Sequence, residues 1–335
     1  MSAAGLRNAD AGLSRAPLSI LLVAVVALLS VAQGGCAAAG PKRQPVQFES
    51  APWTFHKAPG VKLTTEHYEI YTTLRDKVLL DALPDFVEAA FENYEKLLPP
   101  TQTPENRMQV YLFVSRGQWE AFTRQYTGSR ASTFLKVQNG GYSERGVSVI
   151  QYVAHQITFP LFAHEGFHQY LFHYVNTRIP AWLNEGLAVI CEGQRWGTYG
   201  VKEFDPWYNP SRRNVLVQSL MGNRLHSLRK LLETNAGEII KGSSQSVATY
   251  YAQLWALILF LREGAGGKYA ADYRRMLEKL SDIDIEQYAR ASHIWSERGT
   301  FNFGEALFRN FISEDIGAVE SEYFAFMRER LFSQR

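Results

Sequence analysis

Residues 159–172 read FPLFAHEGFHQYLF, and the middle five, His164-Glu165-Gly166-Phe167-His168, decide how the chain is read. Two histidines four residues apart on an α-helix lie about 40° apart around its axis, so both rings face one way. Glu165 follows the first histidine directly, within reach of a water held between the rings. Two neutral imidazoles and an adjacent carboxylate in the spacing HExxH are the donor set of a zinc site with a general base beside it. The flanking Phe159, Leu161, Phe162, Phe167, Tyr170, Leu171 and Phe172 are apolar nearly all round, which predicts a buried helix over 159–175. Thr158 is the expected cap of that helix, with Pro160 in its first turn. Two histidines and a carboxylate buried together need a compensating partner, and a zinc ion is the simplest one.

A catalytic zinc needs a third ligand from the chain. His173 lies nine residues beyond His164, about 180° around the helix, and is expected to be a hydrogen-bonded histidine on the far face. His56, His67, His155, His226 and His293 have no ligand-like spacing to the motif. No HxxGxxH continuation follows His168, so a three-histidine site does not fit. Residues 180–188 read PAWLNEGLA, where Pro180 opens a second helix over 181–192. Two helices packed ~8–10 Å apart would bring Glu185 to the open side of the histidine pair. The expected metal ligands are therefore His164, His168 and Glu185, with Glu165 as general base.

Before the motif the pattern alternates between periods of two and 3.6. Strands are expected over 67–73, 108–114 and 146–153, and helices over 81–98 and 118–126. Beyond residue 155 the expected helices are 159–175, 181–192, 248–263, 268–280, 303–312 and 317–332, with a loop-rich stretch at 193–213. The fold class is α+β, a mixed β-sheet N-terminal half followed by a helical C-terminal half, with the metal site where they meet. The expected divisions are a leader over 1–36, a tether over 37–50, an α/β half over 51–157, a zinc-site helical half over 158–265 and C-terminal helices over 266–335. Trp196, Tyr199, Trp207 and Tyr208 fall in the 193–213 stretch, as the lining of a substrate cleft or, more simply, as a packed aromatic loop.

The 335 residues are 46% hydrophobic and 20% charged, a globular composition, and the net charge of +2 offers no electrostatic design for nucleic acid. Phosphate-binding glycine loops are absent. Arg7 and Arg15 precede an apolar run over 18–32, followed by Gln33-Gly34-Gly35-Cys36, the order of an export signal. The run is shorter than the ~20 residues of a bilayer span. Cys36 after two glycines resembles a bacterial lipobox, from which Gln33 departs. The expectation is a periplasm-facing lipoprotein of the bacterial cell envelope, anchored to the membrane through Cys36; an ordinary cleaved signal and an uncleaved anchor are the other readings. Cys191, the second of two cysteines, lies in an apolar stretch and reads as a small buried hydrophobe.

HEGFH followed by PAWLNEGLA resembles the gluzincin zinc peptidases, whose third ligand is a glutamate. The WLNEGLA segment is similar to the aminopeptidase N catalytic domain, and the alternating strands and helices before the motif resemble the smaller peptidase MA-like proteins. The resemblance covers about residues 60–265 and implies a zincin-like fold. It implies hydrolysis of a peptide or protein substrate by water attacking at zinc, with Glu165 moving the proton. It also implies that Tyr251, at the start of a later helix, stabilises the oxyanion. The acidic strand by which aminopeptidases grip a free N-terminus has no counterpart in residues 140–149, so exopeptidase specificity is not implied. The strand over 147–153 is a candidate to pair an extended substrate or, more simply, an ordinary internal strand. Two other readings stay open: a lipid-anchored binding or assembly protein with a structural or vestigial zinc, and hydrolysis of a non-peptide amide or ester.

Overall fold

Tyr68, Ile70 and Thr72 are buried and alternate with half-buried Glu69 and Tyr71, the period of a strand with two unlike faces. This strand, β3 (Tyr68–Thr72), belongs to a six-stranded sheet in a computed structural model. The structure describes residues 46–332 except 138–139, 176, 198–199, 235–237, 239–241, 283 and 296–297. The leader and Cys36 lie outside the described residues, as do Tyr199 and most of the tether. The remaining strands are β1 (Glu49–Phe55), β2 (Ala58–Thr64), β4 (Met108–Phe113), β5 (Gly141–Glu144) and β6 (Val147–Gln151). Their order is β1-β2-β3-β4-β6-β5. β3, β4 and β6 run parallel, and β1, β2 and β5 are antiparallel to their neighbours.

Helices cover both faces of this sheet. Val110, Leu112 and Ile150 share a core with α1 (Lys77–Leu97) and α4 (His155–Tyr170), while Phe113, Val149 and Tyr142 pack with Trp119 of α2 (Arg116–Thr127). The short α3 (Ala131–Phe134) follows α2. α4 runs on into a π-helical turn, Leu171–Val175. Helical structure then dominates: α5 (Ala181–Ile190), α6 (Pro210–Met221), α7 (Leu228–Glu233), α8 (Ser244–Glu263), α9 (Ala270–Asp282), α10 (Ile285–Ala291), α11 (Phe303–Phe311) and α12 (Ile316–Phe332). The architecture is thus α+β, an N-terminal sheet half and a helical C-terminal half. Residues from both halves join one hydrophobic core, from Leu63 of β2 to Met327 of α12. None of the described helices is long and apolar enough to cross a membrane.

Four expectations need correction. The helix carrying the motif begins at His155, and Thr158 is inside it: its Oγ1 accepts from the Val153 N–H at 3.0 Å, and Pro160 stands in the helix interior. The tether ends sooner, because β1 begins at Glu49. The stretch 193–213 is not mainly loop; it holds the hairpin β7 (Gln194–Gly197) and β8 (Gly200–Phe204) and the start of α6. Strand β6 cannot add a substrate strand, since β4 and β5 occupy both of its edges.

Candidate metal centre

The centre is built where α4 crosses between the sheet and α5. Two glycines set that packing. A Cβ on Gly166 would lie 2.5 Å from Tyr94 Oη, which donates to the Ala163 carbonyl at 2.8 Å. A Cβ on Gly186 would lie 2.7 Å from Ile258 Cγ1 of α8. The residue after each functional glutamate is therefore small because another helix presses against it there. His164 and Glu165 are buried, and His168 and Glu185 are nearly so.

Three ligand atoms meet at one point. His164 Nε2 and His168 Nε2 are 3.2 Å apart, and Glu185 Oε2 lies 3.3 Å from the first and 3.6 Å from the second. Four ligands placed tetrahedrally around zinc, with bonds of about 2.0–2.1 Å, stand about 3.3 Å from one another. The triangle in the protein has that edge. Glu185 Oε2 is shut from solvent and makes no hydrogen bond among the described residues, so its lone pairs are free for a cation.

The other ring nitrogens are held from behind. His164 Nδ1 faces Glu192 Oε1 at 3.0 Å, and His168 Nδ1 faces Asn184 Oδ1 at 3.0 Å. An oxygen acceptor on each Nδ1 keeps the proton there and leaves each Nε2 lone pair toward the shared point. Glu192 is fixed in turn by Arg212, at 2.6 and 2.9 Å, and by Asn209 Nδ2 at 2.9 Å. Asn209 also caps α6 by accepting from the Arg212 N–H. The cap that starts α6 thereby delivers the cation that holds Glu192.

The charges explain the titration of these groups. Burial pushes the Glu192 carboxyl up, but Arg212 and His164 outweigh it and hold it at about 2. Burial also pushes Glu185 up, yet the two rings bring it far below the ordinary carboxylate range. The His164 ring is lowered by burial and lifted more strongly by Glu185 and Glu192, reaching about 10. Glu165 is raised, chiefly by burial, against the pull of both histidines and a hydrogen bond from the Ser143 backbone. Three carboxylates stand here against one guanidinium, and protons on the two rings, both raised in pKa, supply the opposing charge. A divalent cation that took the place of those protons would supply the same charge.

His164, His168 and Glu185 are brought together as expected, and Glu165 lies beside them. The Tyr251 ring packs 5.9 Å from the His164 ring, with Arg212 over its face at 5.2 Å. Tyr250, one position earlier, turns into the core. His173 points away from the centre, its Nε2–H donating to the Gly146 carbonyl at 2.9 Å. The aromatic stretch separates rather than forming one cleft: Trp196 stacks on Phe86, and Trp207 packs on Phe326. Cys191 is buried, its thiol pushed up by burial, and its Sγ donates to the Leu187 carbonyl.

Sequence reasoning missed Glu192, Asn209 and Arg212. A signal for Glu192 existed: it lies seven residues after Glu185, about 20° off the same helical face two turns on. Neither family models nor curated proteins offer a match to this chain.

Proposed function

We propose that the protein is a zinc-dependent peptidase with a zincin-like fold, of the glutamate-ligand type, exported to the cell envelope and anchored through Cys36. The observation that carries the reading is the triangle of His164, His168 and Glu185, whose edges suit a tetrahedral zinc and whose carboxylate oxygen has no other partner. Held by these three side chains, zinc supplies Lewis acidity toward a carbonyl and makes water acidic near neutral pH.

The remaining chemistry belongs to the chain. Glu165 is buried beside the ligands, and its raised affinity for a proton suits a base that takes one from water and returns it to the leaving nitrogen. A purely structural site has no use for a buried carboxylate at that position. Tyr251 stays protonated because burial, and then the charges of Glu185 and Glu165, push its phenol well up. It is therefore a donor suited to the developing oxyanion. Glu192 and Asn184 orient the two ligand rings from outside the triangle.

The test is turnover of a mixed peptide library by the zinc-loaded full chain and its Glu165→Gln variant, followed by mass spectrometry. The wild type is expected to cleave peptides; Glu165→Gln keeps its zinc and loses about 10²–10⁴-fold in rate. An undiminished rate in the variant, or a zinc-loaded wild type that cleaves nothing, contradicts the reading.

A further inference from the structure

A cavity of about 130 Å³ lies between α7 and the first turns of α8, and the chemistry above leaves it unused. That volume suits a single side chain and falls well short of the ~300 Å³ at which small-molecule pockets begin. Lys230 is exposed and stands in its wall, and its ammonium has no hydrogen-bond or ion-pair partner among the described residues. Tyr250 lines it as well; the residue is 4% exposed, and its Oη is shut from solvent without a hydrogen-bond partner. Ser246 and Val247 bring in the N-terminal end of α8, a 20-residue helix whose positive pole faces the same space. Glu238 is the single acid among the described lining residues; it is exposed and has an interaction of its own.

The cavity adjoins the metal centre through two rings. Tyr250 packs edge-on to Tyr251 at 5.8 Å, and Tyr251 lies 5.9 Å from His164. Burial, and then the charge of Glu185, keep the Tyr250 phenol protonated. A buried O–H without an acceptor and a solvent-facing ammonium are both donors, and they stand at the positive end of a helix. The ligand that satisfies them is an anion with two acceptor oxygens.

We propose that this cavity is the subsite for an acidic side chain of the substrate, with Lys230 pairing its carboxylate and Tyr250 Oη donating to it. The substrate role rests on the peptidase reading; the affinity for a carboxylate does not. Two measurements on the zinc-loaded full chain separate them. The first compares binding of N-acetyl-glutamate amide and N-acetyl-glutamine amide, by calorimetry or ligand-observed NMR, to wild type, Lys230→Met and Tyr250→Phe. The glutamate compound is expected to bind about tenfold tighter than its amide, an advantage lost in Lys230→Met and reduced in Tyr250→Phe.

The second reads the residues enriched around the bond cut in a peptide library. Asp and Glu are expected at one position in the wild type, and Lys230→Glu is expected to replace them with Lys and Arg. A folded but merely weakened protein would not invert a preference. Glutamate binding that depends on Lys230, with no cleavage, removes the peptidase reading and leaves the carboxylate site. Cleavage without an acidic preference, or glutamate binding unaffected by Lys230→Met, overturns the proposal.

Discussion

Around Glu185 and around Glu305 the helical half buries carboxylates of the same kind, and the two surroundings differ in what stands against the charge. Glu305 of α11 is fully buried; its Oε1 accepts from Arg309 at 2.8 Å and from Arg229 at 3.0 Å. Two guanidiniums face one carboxylate there, so the chain itself supplies the opposing charge. At the other cluster Arg212 binds Glu192 and no guanidinium among the described residues bonds Glu165 or Glu185, whose Oε2 faces two ring nitrogens. A buried ion pair completed by the chain ties α7 to α11. A buried cluster whose opposing charge comes from protons on two rings, with three donor atoms converging, is suited to exchanging those protons for a cation.

The difference can be broken by mutation. Arg309→Met leaves Glu305 with Arg229 as its arginine partner, and unfolding stability is expected to fall by about 1.5–3 kcal/mol. Denaturant titration with zinc and with chelator should show equal losses, since this cluster has no part in metal binding. A loss confined to the zinc-loaded protein would contradict the separation of the two sites. Zinc itself is expected to stabilise the wild type, by about 2.7 kcal/mol at a free concentration 100 times the dissociation constant. Thermal melts across a zinc series measure this, and a melting point indifferent to zinc would deny the site.

Glu192→Gln sharpens the comparison from the other side. It keeps the shape and an acceptor for His164 but removes the charge facing Arg212. Zinc affinity is expected to drop about 10–100-fold, with the fold retained, as competition with a chromophoric chelator would show. The smallest effect concerns pH. Burial raises the Glu88 carboxyl, but hydrogen bonds from His67 and Thr65 prevail, so its pKa lies below the ordinary value. A carboxyl lowered on folding adds stability above its unfolded pKa of about 4.3, and that stability is lost as pH falls through the folded value. In chelator, the acid limb of the stability curve should be shallower for Glu88→Gln than for wild type. A parallel limb would assign Glu88 no such role.

The two helices of the site were legible because their chemistry repeats at helical spacing. His164, Glu165 and His168 lie within one turn and a residue, and Glu185 follows on the next helix. Their support was less legible, since Asn209 and Arg212 reach Glu192 only after an intervening hairpin folds them back. Asn209 followed by Pro210 at the helix start was nonetheless a capping signal for α6 that the aromatic surroundings obscured. The β1–β2 hairpin carried less information still. Its two-residue turn, His56-Lys57, places a non-glycine residue at φ 53°, where Gly, Asn or Asp would have announced it. Most of β1 is also exposed, so hydrophobic alternation is weak there. The role of β6 stayed open because strand character in a sequence does not tell an edge from an interior position. Only the pairing with β4 and β5 decides that.

The central claim is that His164, His168 and Glu185 hold one divalent cation together. Native mass spectrometry of the full chain with zinc, alongside Glu185→Ala, tests it most directly. One zinc per wild-type chain, withstanding a moderate excess of chelator, and its loss in Glu185→Ala are the predicted result. A wild type that takes up no zinc, or a Glu185→Ala variant that holds it as tightly, would contradict the claim.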